Sequence, residues 1–296
     1  MIEIYEGEVN VTFVVSDAYV IQGIKGFQTL YNNLGEPTPV ETNLFYTSTP
    51  LGGVPAEKML TVDVAELSQW PAGFRIEISL LDGSTPRVIK TNYDVVQPYV
   101  SVQNIALAGG FNTSDVDAPG YRNPVVIRDM ESVARHVINA YTGRTFGRFY
   151  DSRVIEGSDT DRLYSDEHFS WIGAVSVENG DVLYDEDSNN EVEISPSGHL
   201  LYVKDGASRY GFPEGYKYRI VGIFGETSIP YDIQLAAKML TVHYLCEDAA
   251  QQNQYIDQIK FGESQTRANR LAFAGTGLMT VDRILEPYRV GTFRVL

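Results

Sequence analysis

The chain has 296 residues, 43% of them hydrophobic and 21% charged, and its 39 acidic against 23 basic side chains give a formal charge of −16. Such a composition argues against disorder, because a disordered chain lacks the apolar surface to offset its ordering entropy, and the length suffices for about two domains with a core each. The negative charge repels phosphate backbones and disfavours sequence-independent nucleic-acid binding, and a single cysteine, Cys246, excludes a disulfide framework.

Residues 1–98 read as a β-domain. Apolar side chains alternate at Val9, Val11, Phe13 and Val15 and again at Phe74, Ile76, Ile78 and Leu80, the period of a strand with one face buried. Leu81-Asp82-Gly83-Ser84 then supplies a hairpin turn before the short strand Arg87 to Lys90. Gly35-Glu36-Pro37-Thr38-Pro39 and Pro50-Leu51-Gly52-Gly53 separate further short strands. About seven strands so spaced predict a small all-β, sandwich-like domain, compatible with an immunoglobulin-like one although the cysteine and tryptophan hallmarks are absent.

The alternation stops at Gln97-Pro98, which places a domain boundary there, and Ser101 can cap a short helix over 101–107. Asn123-Pro124 opens a second helix over 124–142, with an apolar set of Met130, Val133, Ala134, Val137, Ile138 and Tyr141, and Gly143 supplies a left-handed stop. From about 147 to 225 the period returns to two, a β insertion with Asx and glycine turns. Pro230 marks the first position of a helix over 230–261, with Ile233, Ala236, Ala237, Leu240 and Tyr244 at helical spacing and Cys246 as a small buried hydrophobe within it. A last short helix follows over 280–285, then a tail, 287–296, that alternates enough to add as a strand to a neighbouring sheet edge. The fold class is therefore α+β, an N-terminal β-domain followed by a helical domain, 99–296, that carries the β insertion.

Chemistry finds no foothold in this pattern. His136, His168, His199 and His243 make no metal-ligand spacing, so neither a metal nor a cofactor is expected. Asp185-Glu186-Asp187-Ser188-Asn189-Asn190-Glu191 lacks the glycine and spaced glutamate of a helix-loop-helix calcium loop. Asp159, Asp161, Asp166 and Glu167 offer carboxylates, but their spacing is not diagnostic of sugar hydrolysis. No phosphate loop, dinucleotide fingerprint or nucleophile elbow occurs, and an enzyme is not expected. Neither a secretory signal nor a run of about 20 apolar residues is found, so the reading is a chain made in a cytoplasm with no membrane partner.

Four short motifs in one order carry a resemblance. They are Tyr141-Thr142-Gly143-Arg144-Thr145-Phe146 at a helix end, Tyr218 to Gly225 closing the β insertion, Ile229-Pro230-Tyr231-Asp232-Ile233 opening a helix, and Ile284-Leu285-Glu286-Pro287-Tyr288-Arg289 at the close. In this order, over about residues 99 to 296, the chain resembles the head-to-tail connector proteins of tailed bacteriophages, also called adaptor or head-completion proteins. The resemblance implies a ring of about twelve copies in the neck of the virion, docked on the portal protein. That ring would lengthen the channel for genomic DNA, without specific binding, and offer a platform to a tail, stopper or nozzle protein.

By the same resemblance the helices bearing Met130, Val133, Val137 and Tyr141 and Ile233, Ala237, Leu240 and Tyr244 would form the ring core. Pro287, Tyr288, Arg289, Phe293, Arg294, Val295 and Leu296 would engage the portal, and the β insertion or the N-terminal domain would face the tail or the outside. The short members of the family do not explain residues 1–98. An alternative reading is a receptor-binding or baseplate module whose tyrosine-bearing N-terminal β-domain contacts cell-surface glycan.

Overall fold

The computed structural model describes residues 2–165, 167–178, 182–185, 192–203, 212–246 and 275–290. The chain is α+β and mostly strand, with a β region at its N-terminus. It divides into two compact units, one of residues 1–97 with 148–227 and the other of 98–147 with 228–296. The linear division at residue 98 is thus only part of the organisation, since the β insertion belongs with the N-terminal strands rather than with the helices that flank it in sequence.

In the first unit, strands β1 (Ile2–Tyr5), β2 (Asn10–Ser16), β3 (Tyr19–Tyr31), β4 (Pro37–Asn43), β5 (Tyr46–Gly52), β6 (Glu57–Asp63), β7 (Phe74–Asp82) and β8 (Thr85–Val96) precede the first junction, with a one-turn helix α1 (Ala65–Ser68) before β7. They form a five-stranded sheet, β1-β8-β7-β3-β4, and a three-stranded sheet, β2-β6-β5. The alternation on β7 buries Phe74, Ile76, Ile78 and Leu80, which share one core with Val11, Val15, Leu60 and Val62 of the smaller sheet. The expected hairpin is present: Asp82 pairs with Thr85, and Gly83 takes the positive φ, +62°, that the turn requires.

The insertion supplies β9 (Phe149–Glu156), β10 (Arg162–Tyr164), β11 (Phe169–Val177), β12 (Val182–Asp185), β13 (Val192–Ile194), β14 (Leu200–Val203) and β15 (Lys217–Phe224). They pair as β12-β11-β15-β9 and β10-β14-β13 around a core of Phe169, Val175, Leu201, Phe212, Ile220 and Phe224. Its last strand ends at Phe224, where Gly225 turns the chain at φ +98°.

The second unit is helical. Ser101 caps α2 (Val102–Gly109) by accepting from the Asn104 N–H at 3.3 Å, and Asn123 caps α3 (Pro124–Thr142) by accepting from the Val125 N–H at 2.9 Å. Gly143 closes α3 at φ +74° and donates its N–H to Asn139 at 2.8 Å. Helix α4 runs from Tyr231 to Leu245, and α5 (Met279–Leu285) ends in a 3₁₀ turn at Glu286–Tyr288. Pro230 stands one place before the expected position: its ψ of 143° is extended, and its carbonyl accepts the Gln234 N–H as the ladder starts.

Two further expectations change on α4. Cys246 is exposed rather than buried, because it terminates the described helix and donates its N–H back to the Val242 and His243 carbonyls. The stretch expected to carry the helix on to 261 lies outside the described residues.

Candidate assembly surfaces

The side chains assigned to a ring core divide sharply in the second unit. Ile233, Ala237 and Leu240 of α4 are wholly buried with Ala236. Met130, Val137, Tyr141 and Tyr244 are half-buried against the same core. Val133 turns to solvent, 45% exposed, so it does not belong to the core of this chain.

The buried face of α3 is instead Ile127, Glu131, Ala134, Arg135, Ile138 and Thr142, a stripe turned by about one position from the apolar set. The reason is polar. Glu131, fully buried, accepts the Tyr99 N–H at 2.8 Å and pairs with Arg135 one turn on at 3.5 Å. Tyr99, itself buried, donates its hydroxyl to Asn139 and accepts the Phe146 N–H at 2.8 Å, so its one phenol ties the helix end to the segment that leaves it. Burial pushes the Tyr99 hydroxyl up to about 12. Charged residues inside an apolar stripe, four apart, were the signal that could have found this pair.

Around the end of α3 the first and last of the four motifs meet. Tyr141 donates its hydroxyl to Glu286 at 3.0 Å, and the Arg289 guanidinium lies over its ring at 5.1 Å while pairing with Glu286 at 3.6 Å. Burial foremost, then the Glu286 carboxylate, hold the Tyr141 hydroxyl above its ordinary range. Arg144 covers Phe146 at 4.6 Å, and Phe146 meets Tyr288 edge-on at 5.6 Å. Tyr288 reaches Asp232, at the start of α4, at 3.3 Å, and the Val290 N–H donates to the Thr142 carbonyl at 2.8 Å. Through Tyr288 and Val290 the described part of the C-terminal segment, residues 287–290, therefore packs on its own unit. Pro287 and Arg289 remain exposed there, while Phe293, Arg294, Val295 and Leu296 lie outside the described residues.

In the first unit a different cluster joins the insertion to the N-terminal sheets. Trp70 meets Trp171 at 5.3 Å and Tyr150 at 6.2 Å, both edge-on, and Tyr150 leans on Tyr31 at 5.6 Å. Backbone bonds reinforce the rings: the Tyr31 N–H donates to the Tyr150 hydroxyl at 3.1 Å, and the Tyr150 N–H to the Pro71 carbonyl at 2.8 Å. Arg148 pairs with Glu6 alongside. No local pattern marks this joint, since each half of it is an ordinary aromatic in a strand or loop.

The acidic candidates are engaged elsewhere. Glu167 pairs with Arg153 at 3.2 Å and Asp161 with Arg162 at 3.6 Å, while Asp159 is a left-handed turn residue, φ +56°, whose N–H donates to Phe212. Asp166 and the segment 186–191 lie outside the described residues. Among the described residues no group of three or more His, Cys, Asp or Glu is placed to hold a metal ion, and no helix is long and apolar enough to cross a membrane.

No protein-family model matches the chain, and no curated protein does. A solved structure titled BspA_C_WT aligns at 8% identity over 76% of this chain and 86% of that one, with a TM-score of 0.13. A likeness so slight carries no argument about fold or function.

Proposed function

We propose that this chain is a structural virion protein of a tailed bacteriophage, an adaptor that forms a ring of about twelve copies between portal and tail, extends the DNA channel and carries the tail or stopper. The contact of Tyr141 with Glu286 and Arg289 carries the reading. The first and last of the four motifs have a shared physical role there: the helix end and the segment from Ile284 to Arg289 lock together through one phenol, one carboxylate and one guanidinium. The acidic composition is consistent with it, since a lumen lined by carboxylates repels DNA and lets it slide. Head-to-tail contacts close into a ring when the rotation per copy allows it.

Immunogold labelling of virions with antibody against this chain tests the proposal. Label at the junction of head and tail, on intact or disrupted particles, is the expected result. Label on fibres or the tail tip would replace it with the receptor-binding reading.

A further inference from the structure

The outer face of the five-stranded sheet carries charges neutralised in pairs: Lys25 with Glu41 at 2.5 Å, and Glu77 between Arg75 and Lys90, each at 2.9 Å. Where β7 begins, an open hollow of about 270 Å³ interrupts that face.

Register explains the hollow. Phe27, Arg75 and Asn92 are partners across β3, β7 and β8 and form one row, while their neighbours Phe74 and Tyr93 turn the other way, into the core. The next row runs from Pro39 and Thr29, partners on β4 and β3, to Asp94 and Glu3, partners on β8 and β1. Gly73, one residue before β7, gives that row no side chain at its middle; a Cβ there would come within 3.2 Å of Asp94 Oδ1 and of the Tyr93 carbonyl.

Polar groups around the hollow lack partners. Asp94 is half-buried, yet among the described residues its carboxylate takes part in no hydrogen bond or ion pair, and burial first, then Glu3, hold it above its ordinary range. The Asn92 amide and the Thr29 hydroxyl, both exposed, make none among the described residues either. Arg75 is already engaged: its Nε meets Glu77, and its guanidinium lies over the Phe27 ring at 4.9 Å.

We propose that this hollow binds a sugar ring, with Asp94, Asn92 and Thr29 bonding its hydroxyls and Pro39 and Phe27 meeting its C–H face. The chemistry of the walls selects the class. A carboxylate only accepts, an amide donates and accepts, and a hydroxyl does either, which matches ligand hydroxyls that do both. An anionic ligand would face the carboxylates of Asp94 and Glu3. An organic cation would seek an aromatic face, and Arg75 already lies over that of Phe27. A calcium ion needs about six or more oxygen ligands, and among the described residues no group of three or more acidic or histidine side chains is placed to hold a metal. Apolar walls with a few placed polar groups are what small-molecule sites use. The site does not rest on the neck reading.

Saturation-transfer NMR of the full-length chain tests it, with the methyl glycosides of glucose, galactose, mannose, rhamnose and N-acetylglucosamine and the matching free sugars. Transfer to at least one sugar is expected, with binding weakened about tenfold or more in Asp94→Ala, which removes a charge-assisted hydrogen bond, and retained in Thr61→Ala on the smaller sheet. Because the Asp94 carboxylate has no partner to lose, Asp94→Ala should melt no lower than the wild-type chain, which separates a lost ligand contact from a damaged fold. Should it melt lower, Asn92→Ala, at an exposed position, takes its place with the same loss of binding expected. A glycoside bound more tightly than its free sugar identifies a unit of a glycan, and equal binding a solute; both uphold the site. No transfer to any sugar overturns the proposal, as does Asp94→Ala binding like wild type or equal weakening by Thr61→Ala. Transfer to putrescine in place of the sugars would assign the hollow to a cation and overturn it as well. Virion labelling reads out the neck proposal separately, so either can fail alone.

Discussion

Trp70 and Trp171, the only two tryptophans in the chain, stand edge to face with ring centroids 5.3 Å apart, and their contact joins the N-terminal sheets to the insertion. Gly173 gives the Trp171 ring its room, because a Cβ there would meet the ring at 2.5 Å. Aromatic pairs of this geometry contribute about 0.5–1.5 kcal/mol beyond the area they bury. Trp171→Ala should therefore cost about 2 kcal/mol for a half-buried ring and abolish the near-ultraviolet dichroism of the coupled indoles. Urea titration and near-ultraviolet spectra check both, and unchanged spectra would mean that the rings do not touch in solution.

Glu131 is an acceptor that the fold needs more than a charge it needs. Removing it in Glu131→Ala leaves the Tyr99 N–H and the Arg135 guanidinium short of a buried partner, and should destabilise the chain by about 3 kcal/mol. Glu131→Gln keeps an oxygen for the Tyr99 N–H and should cost clearly less. Equal losses in denaturant titrations of the two variants would show that charge, not the hydrogen bond, is what α3 requires.

The Tyr99 hydroxyl gives a pH dependence with a definite sign. Its ordinary value near 10 is raised to about 12 by burial, so between those values the unfolded chain releases a proton that the folded chain keeps. Stability is full below about pH 10 and falls as pH rises toward 12. Tyr93, likewise raised to about 12 by burial, adds to the same window. Tyr99→Phe should cost about 1–3 kcal/mol at neutral pH, by orphaning the Phe146 N–H, and should flatten part of the alkaline loss. Thermal melts at neutral and alkaline pH make the comparison.

Gly143 takes φ +74° at the end of α3, beside the Thr142 carbonyl that accepts from Val290. A Cβ there would lie 3.6 Å from Val290, an ordinary contact, so Gly143→Ala is penalised by backbone conformation alone. The expected cost is about 1 kcal/mol, that of holding a residue with a Cβ in the left-handed region. A loss well above that in calorimetry would mean that the C-terminal segment had been displaced as well.

Caps and periods determined the elements. Ser101, Asn123-Pro124 and Gly143 are local instructions, legible because a capping side chain or a left-handed glycine acts on the next few residues only. Alternation did the same for β2 and β7, since a strand with one buried face must repeat every two residues. What those signals leave open is which elements share a core and which way a face turns. Only the tertiary structure decided that segment 148–227 belongs with 1–97, through ring contacts between residues far apart in sequence. It alone turned α3 so that Glu131 and Arg135 face inward and Val133 outward, because an acceptor for the buried Tyr99 N–H outweighs the most apolar stripe. And it alone brought Tyr141 to Glu286 and Arg289, a contact that no spacing along the chain encodes.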